Sequence, residues 1–119
     1  MLNYGHTLGH AIERESNFAV SHGEAVAIGL IFAAKLAKRM GRIDATRVEY
    51  HERVVRDHYG LSTDLPGGLS HDRLIALMHG DKKALNGLTF ILDGPRGCEV
   101  VNGVDEAVVR EVLAESEVR

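Results

Sequence analysis

Over residues 2–15 the apolar and small positions Leu2, Leu8, Ala11 and Ile12 recur at helical spacing, and His6 and His10 fall within the same pattern. Residues 17–21 break the period and read as a short loop. Over 23–40 the helical pattern returns, but its apolar positions (Val26, Leu30, Ile31, Ala34, Leu36, Ala37) cover more than one face. That predicts a central, largely buried helix. Gly41 supplies its C-terminal stop.

Asp44 is an N-cap for a third helix to residue 58, charged on most faces and therefore expected on the outside. Residues 60–68 carry two turn signals and Pro66, a loop. Ser70 caps a fourth helix over 72–79. The character then changes: 88–92 and 98–101 read as strands joined by the turn 93–97, and an amphipathic helix over 104–115 closes the chain. The predicted fold class is mainly α, a helical bundle domain with a small β-hairpin near the C-terminus.

Composition narrows the possibilities. The 119 residues are one domain's worth, with 45% hydrophobic and 26% charged positions. The net charge is -3 and the basic residues are scattered, which argues against nucleic acid or an anionic membrane as a partner. Cys98 is the single cysteine, so no intramolecular disulfide forms and a reducing cytoplasm fits. The most apolar run, 25–36, is too short to span a bilayer, and no signal-peptide pattern opens the chain. The densest motif follows Met1 directly, with no lead-in. We therefore expect the chain to begin within a larger protein.

Three of the seven histidines, His6, His10 and His22, fall in the first 22 residues. His6 and His10 are four apart and share a helix face, and a helical hairpin brings His22 back towards them. Neutral imidazole is the commonest zinc ligand, and three histidines with an open position describe a catalytic site. The same residues also suit helix packing or a plain surface. Thr7 stands where a zinc protease needs its glutamate. Gly5, Gly9 and Gly23 each cost a helix roughly 1 kcal/mol, and close approach of a ligand or a neighbouring backbone is a common reason to accept that cost.

The run Asn3-Tyr4-Gly5-His6-Thr7-Leu8-Gly9-His10-Ala11-Ile12-Glu13, then His22-Gly23-Glu24-Ala25-Val26, and later Asp81-Lys82-Lys83, resembles 3-dehydroquinate synthase in order and spacing. The resemblance spans essentially the whole chain but only the family's C-terminal, mostly helical domain. Residues 1–119 are thus expected to be that domain, with the N-terminal NAD-binding domain absent. The resemblance implies conversion of a sugar-acid phosphate, 3-deoxy-D-arabino-heptulosonate 7-phosphate, to 3-dehydroquinate plus phosphate in the shikimate pathway. It also implies NAD, a divalent metal (zinc or cobalt) that polarises the hydroxyl being oxidised, and a homodimer when full-length.

Carried over by position, the resemblance makes His6 and His22 the metal ligands. It makes His10 a substrate-contacting residue with a part in proton handling, and Asn3 a substrate-binding residue. One of Lys82 and Lys83, with Lys83 favoured, reaches substrate; a solvated helix end is the bland alternative for Asp81-Lys82-Lys83. The third ligand is a glutamate upstream of Met1. Glu24 reads as a carboxylate supporting the site or the helix N-terminus, and Glu13 as a surface or packing residue. His51, His58, His71 and His79 read as exposed, and Cys98 as an inert packed thiol.

Several family features are missing. The chain has no Gly-rich phosphate-binding turn in a βαβ unit, no upstream arginine, and a shorter loop between His10 and His22. The isolated chain is therefore expected to lack synthase activity. Two other readings stay open. One is another sugar-phosphate cyclase of the same fold, of the 2-deoxy-scyllo-inosose or sedoheptulose 7-phosphate type. The other is a non-catalytic helical remnant serving assembly.

Overall fold

A computed structural model describes residues 5–60, 64–79 and 87–117. Its elements are α1 (His6–Glu15), α2 (His22–Arg39), α3 (Ala45–Tyr59), α4 (His71–His79), β1 (Leu88–Leu92), β2 (Glu99–Val104) and α5 (Glu106–Ser116). The architecture is mainly helical with one antiparallel hairpin, β1 against β2.

The breadth of the apolar face on α2 explains its position. Ala25, Ile28, Phe32, Ala33, Leu36 and Ala37 join a large core with Leu8 and Ile12 of α1, Leu74 and Ile75 of α4, the hairpin, and Val109, Val112 and Leu113 of α5. On another face Ala27 and Ile31 meet Val55 of α3. The rings of Phe32 and Phe90 lie 5.8 Å apart at 41°, joining α2 to β1. Each fully buried Leu, Ile or Phe here contributes roughly 1.5–3 kcal/mol. As its charge pattern predicts, α3 is mostly exposed and buries only Val48 and Val55 among its hydrophobic side chains described. Among the described residues no helix is long and apolar enough to cross a membrane.

Several ends follow from single residues. Asp44 accepts from the Arg47 N–H at 2.9 Å and starts α3. Gly41, at φ 76, closes α2 while the Arg42 N–H reaches back to the Ala37 carbonyl.

The second strand and the last helix depart from expectation. Val104 does not open the helix. It is the last residue of β2, paired with Leu88, and Asp105 caps α5 by accepting from the Ala107 N–H. Pairing of Leu88 with Val104 but Phe90 with Val101 leaves an extra residue in β2, a bulge at Asn102-Gly103 with Gly103 at φ 68. Those two residues read as turn chemistry and hide the strand's continuation. At the other end Cys98 precedes the strand and is half-buried. Burial pushes its thiol up, and the charge of Asp93 adds to this, so the inert reading fits.

Candidate metal and substrate site

Two helices run antiparallel at unusually short range to build this site. Gly5 sits in the left-handed region at φ 82, just ahead of α1, and a Cβ there would lie 2.8 Å from the Leu30 nitrogen. A Cβ on Gly29 would overlap the Gly5 carbonyl oxygen, and one on Gly9 would lie 3.2 Å from the Ala25 oxygen. The neighbour that needs these glycines is therefore the backbone of the partner helix, not a ligand. Gly23 differs, with nothing within 4 Å of its would-be Cβ.

This approach gathers the histidines. The ring centroids of His6 and His10 are 5.0 Å apart, and those of His6 and His22 are 6.1 Å apart. Half-burial of His6 lowers its pKa, and the neighbouring His10 and His22 lower it further, against an opposing contribution from Glu13. The ring is thereby held in the neutral form that binds metals. Ser21 caps α2 through the Glu24 N–H, and His22 is the first helical residue. Its side chain is 64% exposed, and its Nδ1 lies 3.0 Å from Glu13 Oε1.

Among the described residues no three His, Cys, Asp or Glu side chains converge as a metal site. Two imidazoles do fit part of a donor set: His6 favours its neutral form, and His22 has one ring nitrogen engaged by a carboxylate. Asn3, Lys82 and Lys83 lie outside the described residues.

Glu13, expected as a surface or packing residue, is packed against the start of α2 and makes a polar contact there. Its side chain is 13% exposed and turned onto His22. The signal was in the spacing, because His6, His10 and Glu13 stand at i, i+4 and i+7 on one helix face. Glu24 belongs to the helix N-terminus, accepting from the Ser21 hydroxyl at 3.1 Å while its N–H bonds the Ser21 oxygen.

Three more histidines are less exposed than expected. His51 is 11% exposed, with Nε2 3.6 Å from Asp93 Oδ2, and His71 Nε2 meets Glu117 at 2.5 Å. His79 is half-buried. Asp93 is buried and bound by Arg47 Nε at 2.7 Å and the Gly94 N–H at 2.8 Å. This cluster borders a cleft of about 480 Å³ between the start of α3 and the hairpin turn, and no residue of the histidine group lines it. The Arg42 guanidinium lies against Gly94 there and donates from Nε to the Asp93 carbonyl.

With this geometry in view, the comparisons with known proteins identify the class. The model of the 3-dehydroquinate synthase C-terminal family matches residues 1–84, and the chain belongs to that family. It is 53% identical over 113 residues to a candidate aminodehydroquinate synthase of Amycolatopsis mediterranei (strain S699), covering 95% of this chain and 32% of that protein. It is 42% identical over 123 residues to a 3-dehydroquinate synthase of Xanthomonas campestris pv. campestris (strain 8004), covering 97% of this chain and 33% of that one. A crystal structure of 2-deoxy-scyllo-inosose synthase with carbaglucose-6-phosphate, NAD+ and Co2+ is similar in fold. The TM-score is 0.78 at 30% identity, covering 96% of this chain and 33% of that one. The chain spans about a third of the length of the curated relatives it matches.

Proposed function

We propose that this chain is the helical part of a 3-dehydroquinate synthase that converts 3-deoxy-D-arabino-heptulosonate 7-phosphate to 3-dehydroquinate and phosphate. The observation that carries this reading is the meeting of His6, His10 and His22 on one face of two closely packed helices. His6 and His22 would hold zinc or cobalt, with a further ligand from outside the chain. Bound there, the metal would polarise the substrate hydroxyl so that its proton is lost more easily, and NAD would supply the acceptor for hydride from the carbon that bears it. His10, exposed beside His6, would face the substrate and exchange a proton with it. Asn3 would donate to substrate oxygens. Lys83, or Lys82, would set a compact cation against a carboxylate or phosphate. The complete enzyme would be a cytoplasmic homodimer whose NAD-binding domain completes the site.

One observation favours a second substrate within the same chemistry. Identity is higher to the candidate aminodehydroquinate synthase, 53%, than to the Xanthomonas campestris enzyme, 42%. An amino-bearing analogue of the heptulosonate phosphate is therefore the alternative substrate.

A chimera tests both readings. The chain replaces the matching third of the Xanthomonas campestris enzyme, and phosphate release is followed with NAD and Co2+ on each substrate. We expect turnover by the chimera, none by the chain alone, and loss of turnover with His6→Ala or His10→Ala. A folded, NAD-binding chimera that releases phosphate from neither substrate would overturn the proposal and favour a non-catalytic remnant. Greater turnover on the amino analogue would select the second reading.

A further inference from the structure

The metal-binding reading of His22 leaves a physical problem. Its ring stands on the first residue of α2 and is 64% exposed. A ring so placed is free to rotate about its side-chain bonds and to exchange tautomers, and both motions weaken a ligand. One contact opposes them. Glu13 Oε1 lies 3.0 Å from His22 Nδ1, and the Glu13 side chain is itself 13% exposed.

We propose that Glu13 is a positioning residue that fixes the His22 ring and its tautomer for metal binding; this rests on the functional reading above. An ionised carboxylate only accepts hydrogen bonds. A bond between Glu13 and a neutral His22 therefore requires the proton on Nδ1, which leaves the Nε2 lone pair to face the metal. Carboxylates that hold the far nitrogen of a ligating histidine orient the ring and raise its basicity.

The backbone under Glu13 suits this task. Its carbonyl accepts from the Phe18 N–H at 2.7 Å and from the Ser16 hydroxyl at 3.2 Å. The turn that leaves α1 is thus tied to the residue that holds His22. That turn places Asn17 and Phe18 in the left-handed region, at φ 54 and 62. These conformations are disfavoured for non-glycine residues, and the two bonds to the Glu13 carbonyl help to impose them. The same short loop delivers His22 to Glu13.

The test uses the chain itself, labelled with 15N, and reads the His22 ring directly. Long-range 1H–15N correlation spectra are expected to show the Nδ1–H tautomer. In Glu13→Ala the ring should shift towards Nε2–H. Co2+ is then titrated while the paramagnetic shifts of the ring protons are followed. The midpoint concentration at His22 should rise roughly ten- to a hundred-fold in Glu13→Ala. Glu13→Gln, whose carbonyl oxygen still accepts from Nδ1, should keep the tautomer and fall between the two, and it serves if the alanine variant does not fold. An Nε2–H tautomer in the unaltered chain overturns the inference. So does a Glu13→Ala variant whose tautomer and Co2+ midpoint match it while both ligand rings still shift. Co2+ that bypasses the His6 and His22 rings altogether overturns the metal reading, and the inference with it.

Discussion

Gly29 lies so close to Gly5 that a methyl group on Gly29 would overlap the Gly5 carbonyl oxygen, well inside contact distance. The atom in the way is backbone at the start of α1, one residue before His6, so no flexible side chain can yield. Gly29→Ala is therefore expected to push α1 away from α2 and to destabilise the chain by about 1–3 kcal/mol or more, the usual range for overpacking. The His6 and His22 rings should separate with the helices. Gly23→Ala is the control, because nothing lies within 4 Å of its Cβ and the exchange gains helix propensity of about 1 kcal/mol. Urea denaturation of the two variants should move in opposite directions. Equal midpoints for Gly29→Ala and the unaltered chain would contradict the close contact.

The start of α2 gives a smaller and more local prediction. Ser21 accepts from the Glu24 N–H at 3.3 Å, and the Glu24 carboxylate accepts from the Ser21 hydroxyl. Ser21→Ala should cost about 1 kcal/mol, the usual value of an N-cap. Because His22 is the next residue, fraying of this turn should also weaken the His22 contact with Glu13. Hydrogen exchange at the Glu24 amide should quicken in the variant. Unchanged exchange there would show that the cap does not hold the turn.

The sequence makes helices legible where chemistry and period agree. Asp44, Gly41 and the broad apolar surface of α2 each predict what they form. The hairpin is foreseen, but its length is not, because Asn102-Gly103 is a bulge with the composition of a turn. The site is legible in part. The block around His6 and His10 carries the family and the histidine spacing. The close contact of Gly5 with Gly29 and the turn of Glu13 onto His22 depend on how two helices meet, and a linear pattern does not encode that crossing. His51 is misread for the same reason: an ordinary helical position becomes half-buried only when the hairpin turn brings Asp93 to it.

Asp93 provides a prediction in acid. Burial alone would raise its pKa, but the Arg47 hydrogen bond, the Gly94 N–H, and the charges of Arg47 and His51 outweigh burial and hold it below the ordinary 3.8. As pH falls below 3.8, the unfolded chain takes up this proton before the folded one does. The stabilisation from Asp93 is therefore complete above that value and is lost as pH falls towards the folded-state pKa. Arg47→Ala removes the largest of the contacts that oppose burial. The carboxyl pKa should rise, the acid loss should begin at higher pH, and stability near neutrality should fall by about 1–3 kcal/mol, the range for a hydrogen bond to a buried charge. Arg47 is 49% exposed, so the lower half of that range is expected. Urea midpoints followed from neutral pH down through the carboxylate range check this. An acid profile in Arg47→Ala that superimposes on that of the unaltered chain would show that Asp93 is not held by Arg47.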